Sequence, residues 1–322
     1  MYLHITLGFI IKNHILKSKV GAGPLIFNVL TQFLKCKSWV KLHLAVLIAG
    51  FTGVFGRLIS YDAFVLVFIR FAIAALSAYV ILKCLGRIKA VSVRSKIQGL
   101  FVGALLAIHL IFFYLSIKLS NVSIGTVTLA SSSFFTSLLE PKVLNKKFDK
   151  TSLIYASLNI IGLLLIFNFD TKFRLGISVG FIAAFLAALF TVFNKKFSYG
   201  KDAYTFINYE MLGGFLLVLV LAPLYLGVCG TSSIYFDAKD LIYLFLLATI
   251  FTVLLYLMVV QLASKVSAFT LMLTFNLEPV YAIIIAMILF NEANEVNFSF
   301  YIGVALMICS VLLQNMKSKL EK

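Results

Sequence analysis

The sequence is organised as a series of apolar stretches, each about 20 residues long, with most of the charged residues between them. An α-helix rises about 1.5 Å per residue, so about 20 apolar residues cross a hydrocarbon core of about 30 Å. The approximate bounds of ten such stretches are 39–58, 63–83, 97–117, 122–145, 152–169, 175–194, 204–228, 239–260, 267–290 and 299–316. The pattern predicts an all-α integral membrane protein with ten transmembrane helices.

Composition and motifs argue against a soluble enzyme. The chain is 62% hydrophobic and only 12% charged, whereas a soluble domain has about 25% charged residues. Ten spans with short connections leave no room for a catalytic domain, and the chain has no Walker A, GxSxG or HExxH sequence. Four scattered cysteines form no CxxC pair. We therefore expect no enzymatic activity, no cofactor and no bound metal.

The basic residues that give the chain its net charge of +16 lie mainly in the gaps on one side of the predicted spans. With the N-terminus inside, the cytoplasmic segments hold 22 of the 28 Lys and Arg residues. The outside gaps hold the basic residues Lys118, Lys172, Arg174 and Lys239 and the acids Asp62, Asp170, Asp237, Asp240, Glu292 and Glu295. This asymmetry follows the positive-inside rule, so it predicts two cytoplasmic termini in a cell membrane and not nucleic-acid binding. Residues 1–38 form a basic cytoplasmic or interfacial segment, and residues 317–322 form a basic cytoplasmic tail.

The ten spans divide into two similar halves, residues 39–169 and 175–316. In each half a short polar link, KLSNVS or QLASKVS, leads into a helix with a Glu-Pro pair, in LLEPK around Glu140 and in NLEPV around Glu278. An alignment of the helix starts places Glu278 opposite Phe134, not Glu140. Because five is an odd number, the second half enters the membrane from the opposite side, which predicts two inverted five-helix repeats, an architecture of many secondary transporters.

Glycines are concentrated in the first, third, sixth and seventh spans. Small residues allow the backbones of two membrane helices to approach closely. We therefore predict close helix contacts at these glycines, some of which would also form faces that slide during transport. The residues are Gly50, Gly53, Gly56, Gly99, Gly103, Gly176, Gly180, Gly213 and Gly214.

Glu278 is the strongest candidate for a functional residue. It lies about 17 Å into its predicted span by helix rise, close to the bilayer midplane, where a charge is costly. Pro279 removes one helix hydrogen bond, which predicts a kink with freed carbonyl groups near Asn276. A carboxyl group, an amide and open backbone are suited to bind a polar substrate or to exchange a proton. The alternative is that Glu278 bonds to a neighbouring helix and stabilises the kink.

Two further ionisable residues lie within predicted spans. His109 is similarly deep in the third span and is either a proton relay or a neutral, packed imidazole; we favour packing. Arg70 either binds an anionic group of the substrate or pairs with a carboxylate such as Asp62, and we leave these two roles open.

Charged residues nearer the span ends are weaker candidates for functional residues. Glu140 and Glu210 lie near the cytoplasmic ends of their spans, where they form an inner gate with a nearby lysine or sit at the headgroup boundary. Pro141 predicts a second helix kink. Arg57 can extend its side chain to the outer interface.

The chain resembles the drug/metabolite transporter superfamily and, within it, the EamA-like permeases, over about residues 39–316. The resemblance rests on the two five-helix halves, WVKLHLAVLIAGFTGVFGRLIS in the first span, Arg70, SSSFFTSLLEP around Glu140, YEMLGGF around Glu210, and NLEPVYAIIIAMILFNE ending at Glu292. In the family pattern an acidic residue follows the Pro-containing helix, and Asp149 is the counterpart of Glu292 in the first half. The tryptophan usual in the first span is replaced.

The resemblance implies a bacterial inner-membrane permease, most often an exporter of small metabolites or amino acids. We therefore expect a secondary transporter that works by alternating access, with a small-molecule substrate, membrane lipid and a coupling proton or other ion as its partners. A homodimer is an open alternative for its assembly. The alternative functions are a membrane-embedded enzyme acting on lipid and a non-transporting membrane scaffold.

Overall fold

The structure, a computed structural model, describes residues 38–145, 147–169, 171–198, 202–229, 237–263, 274–275 and 277–320. Two compact units are distinguished, residues 1–41 and 42–322. Of the first unit only the residues that open the first helix are described, so the predicted interfacial segment 1–38 lies almost entirely outside the described residues. The second unit contains the remaining described helices.

The described residues are mainly α-helical. The helices are α1 (Ser38–Leu58), α2 (Ala63–Cys84), α3 (Val93–Leu119), α4 (Val122–Leu129), α5 (Ser132–Leu144), α6 (Lys150–Phe169), α7 (Arg174–Ser198), α8 (Ala203–Cys229), α9 (Ala238–Ala248), α10 (Leu255–Ala263), α11 (Glu278–Phe290) and α12 (Phe298–Leu320). Thr249–Leu254 form a π-helical segment between α9 and α10. Short 3₁₀ turns precede α7 and follow α11.

Eight helical segments among the described residues are long and apolar enough to cross a membrane. They coincide with the first eight predicted spans, where α4 with α5, and α9 with α10, each count as one segment. The last two predicted spans contain the shorter apolar helices 278–290 and 298–313. Since residues 264–273 are not described, the count of ten spans stays a prediction, but the multi-pass membrane character is clear.

The outer surface of the bundle is apolar. Large side chains such as Leu76, Val220 and Ile288 are more than half exposed. A surface of this kind is unfavourable in water, whereas in a bilayer it contacts lipid tails and the backbone polar groups are satisfied within each helix. The exposed residues thus agree with the hydropathy of the sequence.

Polar contacts identify the two ends of the bundle. At one end Arg57, in the last turn of α1, binds Glu292 and Glu295 after α11, and Asp240 near the start of α9 accepts a hydrogen bond from Ser60 N. We call this the Arg57 end. At the other end, which we call the Lys195 end, Lys195 near the end of α7 binds Glu140 near the end of α5. The functional site described below lies between these ends.

Glycines bring helix backbones into close contact, as predicted. A Cβ atom on Gly103 of α3 would lie 1.9 Å from the carbonyl oxygen of Glu210 in α8, and one on Gly213 would lie 2.2 Å from that of Leu100. A Cβ on Gly180 of α7 would lie 2.6 Å from Ser116 Oγ in α3. Helix α3 therefore packs against both α7 and α8 at distances that only glycine permits.

The fourth predicted span and the described part of the ninth share a local pattern. The fourth is interrupted at residues 130–131, where 3₁₀-type hydrogen bonds replace the α-helical ones, for example from Ser133 N to Ala130 O. The 13-residue helices α5 and α11 then begin, and each ends at an asparagine in the left-handed conformation, Asn145 and Asn291. The two helices start 146 residues apart, at 132 and 278, and their terminal asparagines are also 146 residues apart, at 145 and 291. We call this spacing the offset of 146.

The two prolines of the Glu-Pro pairs occupy different helix positions. Pro279 lies in the first turn of α11, where proline is tolerated because an amide hydrogen would have no intrahelical partner. Pro141 lies near the end of α5, which continues to Leu144. The interruption of the fourth span lies ten residues before Pro141, and a kink at Pro141 stays a prediction.

We expect Gly103→Ala to lower the free energy of unfolding by about 1–3 kcal/mol or more, because the new methyl group would force α3 and α8 apart. The matched control is Gly227→Ala in α8, where an added Cβ meets no atom within 4 Å. Thermal unfolding in detergent measures the difference. Equal melting temperatures of the two variants would contradict the close contact at Gly103.

Candidate functional site

Arg70 is the best-defined charged group inside the bundle. Its side chain, on α2, is held from two other elements and only 5% of the residue is exposed. Its Nε donates to Thr252 Oγ1 at 3.0 Å, and its Nη1 donates to Tyr114 Oη at 2.5 Å. The direct partners of this guanidinium among the described residues are therefore hydroxyl groups, which satisfy hydrogen bonds but do not balance its charge.

Pairing with a carboxylate such as Asp62 was one of the two predicted roles of Arg70. In the structure Asp62 has other partners. Asp62 caps the start of α2 by accepting hydrogen bonds from Phe64 N and Val65 N, and it also accepts one from the Tyr225 hydroxyl. An aspartate is a favourable N-cap because its carboxylate satisfies amides that have no helix partner. The other predicted role of Arg70, binding an anionic group of the substrate, stays a prediction.

The π-helical segment positions one of the two partners of Arg70. Thr252 lies within this segment and donates its own hydroxyl hydrogen to Leu247 O, five residues earlier, at 2.7 Å. Its oxygen thus accepts from Arg70 while its hydrogen satisfies a backbone carbonyl. Single π turns occur frequently at functional sites, where they alter the direction of side chains.

His109 packs against α7 and a neighbouring aromatic ring. Its Nδ1 donates to Ala183 O in α7 at 2.9 Å, and its ring stacks on Phe113 with the centroids 6.0 Å apart. This contact fixes the ring orientation and leaves Nε2 as the nitrogen that can exchange a proton. His109 also lies within electrostatic range of Arg70.

Glu210 and Glu278 place two carboxyl groups in the bundle. Glu210 is 1% exposed and accepts a hydrogen bond of 2.5 Å from Asn194 Nδ2, which joins α8 to α7. Glu278 is partly buried and is the first residue of α11. The backbone of α11 at this point lies against Gly50 of α1, where an added Cβ would meet Ala282 N at 3.2 Å.

Tyr256 connects these groups. It lies one helical turn beyond Thr252 and is within electrostatic range of Glu210, Arg70 and Glu278. Residues far apart in the sequence, including Arg70, His109, Glu210 and Glu278, therefore lie in one neighbourhood formed by α2, α3, α8, α10 and α11. Asn276, which we predicted beside Glu278, lies outside the described residues.

Glu140 lies apart from this neighbourhood, at the Lys195 end. Its Oε1 accepts a hydrogen bond from Lys195 Nζ at 2.8 Å, which joins α5 to α7. Lys89 and Asp202 form a second ion pair at this end, at 3.2 Å. Burial opposes ionisation of Asp202, but hydrogen bonds from Thr205 and Lys89 outweigh it and lower the pKa of this carboxyl. The lysine partner predicted for Glu140 is thus Lys195, whereas Glu210 contacts Asn194.

The Arg57 end contains a charged network that sequence reasoning missed. Arg57 Nη1 donates to Glu292 Oε1 at 2.6 Å and Nη2 donates to Glu295 Oε1 at 2.8 Å. Glu292 also accepts from Val122 N and Ser123 N, at 3.0 and 2.8 Å. The only sequence signal was the family pattern that ends at Glu292, because the partners lie 235 residues apart in the chain.

We expect Tyr114→Phe to destabilise the protein by about 1.5–3 kcal/mol, because it leaves a buried guanidinium hydrogen without an acceptor. Tyr79→Phe is the matched control, since Tyr79 is 45% exposed on α2. The melting temperature of each purified variant in detergent gives the comparison. A Tyr114→Phe variant as stable as the control would show that the hydroxyl contributes little to holding Arg70.

We expect the Glu295 contact to weaken in acid. Hydrogen bonding from Arg57 lowers the pKa of Glu295 below its ordinary 4.5; burial opposes this shift, and a hydrogen bond from Asn121 adds to it. A group with a depressed folded-state pKa stabilises the fold above its unfolded pKa and loses that contribution as the pH falls through the folded value. The melting temperature of the wild type should therefore fall more steeply below about pH 4.5 than that of Glu295→Gln. Parallel pH profiles would contradict this expectation.

Comparison with known proteins assigns the family. A solved structure described as "Crystal structure of protein" is similar, with a TM-score of 0.56 and 11% identity over 86% of this chain and 96% of that chain, which supports the fold alone. No curated protein matches the sequence. A profile of the EamA-like transporter family matches residues 39–168 and 174–316, which agrees with the apolar bundle and its buried polar neighbourhood. The chain therefore belongs to the EamA-like transporter family.

Proposed function

We propose that this protein is a secondary active transporter that exports small polar metabolites or amino acids across the cell inner membrane. The observation that carries the proposal is the presence of three ionisable side chains within the apolar bundle, namely Arg70 on α2, Glu210 on α8 and Glu278 at the start of α11. Charged groups at this depth are costly and are commonly retained for substrate or ion pathways. Family membership supports transport as the general activity.

Glu278 is the proposed site of substrate or proton binding. It opens α11 directly after a turn in which Leu277 N donates to Thr274 O. Pro279, which has no amide hydrogen, suits this first turn and marks the start of α11. Helix breaks are where many membrane transporters bind substrates and coupling ions, and an intramembrane carboxyl group there is suited to bind a cation or a proton.

We propose ten spans in two inverted five-helix repeats, with both termini in the cytoplasm. The offset of 146 between α5 and α11 supports this arrangement, since each helix follows an interruption and ends at a left-handed asparagine. In this topology the Arg57 end faces outside and the Lys195 end faces the cytoplasm, in agreement with the distribution of Lys and Arg. Glu140 and Lys195 then form the inner gate.

The test compares metabolites inside and outside cells that express the wild type, Glu278→Gln, Asp237→Asn or an empty vector. We expect one compound or class to shift across the membrane with the wild type, and the shift to be lost in Glu278→Gln because the amide cannot exchange a proton or carry charge. Asp237→Asn is the matched control, since Asp237 caps α9 and asparagine also caps helices.

The outcomes separate the parts of the proposal. A compound that moves with the wild type and the control but not with Glu278→Gln supports both transport and the role of Glu278. Equal movement with Glu278→Gln contradicts that role while transport stands. If no compound moves with the wild type, transport is contradicted and the scaffold alternative gains support.

A further inference from the structure

We propose that Arg57, Asn121, Glu292 and Glu295 form a latch that closes the transport site toward the Arg57 end and that opens during each transport cycle. This inference rests on the proposed transport function. The latch joins three elements at one point, namely the end of α1, the start of α4 and the turn after α11. Each of its contacts is a charge-assisted hydrogen bond, which is stronger and more directional than one between neutral groups.

Glu292 is the fixed part of the latch. Its residue is completely buried, and its carboxylate accepts from two amides in the first turn of α4 as well as from Arg57. The amides at a helix start have no intrahelical acceptor, and the helix dipole favours an anion there. Glu292 thus remains satisfied by α4 even when Arg57 moves away, so the buried carboxylate does not become unpaired.

Arg57 and Glu295 are the mobile part. Their side chains are 33% and 30% exposed, so water competes for them and the ion pair between them is easily exchanged. Asn121 adds a second contact, with Nδ2 donating to Glu295 Oε2 at 3.0 Å while Oδ1 caps α4. The latch therefore combines an anchor, Glu292 on the amides of α4, with a partly exposed pair of Arg57 and Glu295 that water can separate.

The contacts cross between the two segments that the family profile matches. Arg57 and Asn121 lie in the first segment, and Glu292 and Glu295 lie in the second. At the Lys195 end, the pair of Glu140 and Lys195 also crosses between the segments. Ion pairs thus tie the two segments at both ends, and access from the Arg57 end requires Arg57 to leave its two acids while Glu292 stays on the amides of α4.

A layer of aromatic rings links the latch to the site. Phe55, two residues before Arg57, packs against Phe251 and Tyr243 with ring centroids 4.8 and 6.0 Å apart. Phe251 precedes Thr252, the hydroxyl partner of Arg70. Movement of the end of α1 away from Glu295 would therefore separate these rings and open a path from the Arg57 end to Arg70.

The test measures access to a reporter cysteine at Thr52→Cys, a substitution of nearly equal size. Thr52 lies on α1, and its carbonyl accepts a hydrogen bond from Tyr114, which holds Arg70. The reporter is placed in a chain whose native cysteines are replaced by serine. A membrane-impermeant maleimide is applied to intact cells and, separately, to inverted membrane vesicles, so each face is probed alone. The native cysteines are Cys36, Cys84, Cys229 and Cys309.

We expect Glu295→Gln to raise the labelling rate from the Arg57 side by about fivefold or more and to lower it from the opposite side, because one charged contact of the latch is lost. Arg57→Gln should have a larger effect and Arg57→Lys a smaller one. Arg174→Gln is the matched control, an exposed arginine whose partners are the carbonyls of residues 167 and 168. Size-exclusion profiles confirm that each variant is folded, and Glu295 is chosen because its exposed position spares the core.

Unchanged labelling from both sides, or an equal rise from both sides, would overturn the latch. The first result would mean that the contacts do not control access, and the second would mean that the bundle is only loosened. Because labelling needs no substrate, either result is independent of the metabolite test. If transport persists and the variants leave the labelling rate unchanged, only the latch is overturned. If labelling rises from the Arg57 side and falls from the opposite side, the latch is supported even when no compound moves in the metabolite test.

Discussion

The cost of placing charge in a hydrocarbon layer governs this structure. Each ionisable group within the bundle needs partners from the protein, because lipid offers none. Arg70 obtains hydroxyl groups from α3 and the π-helical segment, Glu210 obtains the amide of Asn194, and Glu292 obtains backbone amides and Arg57. These partners come from other helices or from the π-helical segment, so the same contacts that satisfy the charges also fix how the helices are arranged.

Close helix packing makes these contacts possible. Gly103 and Gly213 allow α3 and α8 to touch at backbone distance, and this contact places Glu210 next to α7. In lipid there is no hydrophobic force between helices, so dispersion and hydrogen bonding at short distance provide the stability. The glycines therefore determine where the functional side chains lie, although none of them contributes a functional group.

The sequence predicted those features that depend on local composition. Hydropathy located the first eight described spans, and charge within a predicted span singled out Arg70 and Glu278. The sequence alone could not place Pro279 in the first turn of α11, because a proline is compatible both with a kink within a span and with the first turn of a helix. The break at residues 130–131 carries no proline or glycine, and Arg57 finds its acids more than 230 residues away, so neither had a local signal.

The π-helical segment has a consequence for the register of the eighth span. One residue more than an α-helical turn requires is accommodated within Thr249–Leu254, and each residue of an α-helix corresponds to a rotation of about 100°. All of α10 is therefore turned by about that angle relative to a continuous helix from α9. Thr252 lies within the segment and holds Arg70, and Tyr256 lies just after it, in the rotated part of the span. The extra residue of the π-helical segment thus changes which side chains of α10 face the centre of the bundle, although the chemistry of those side chains is unchanged.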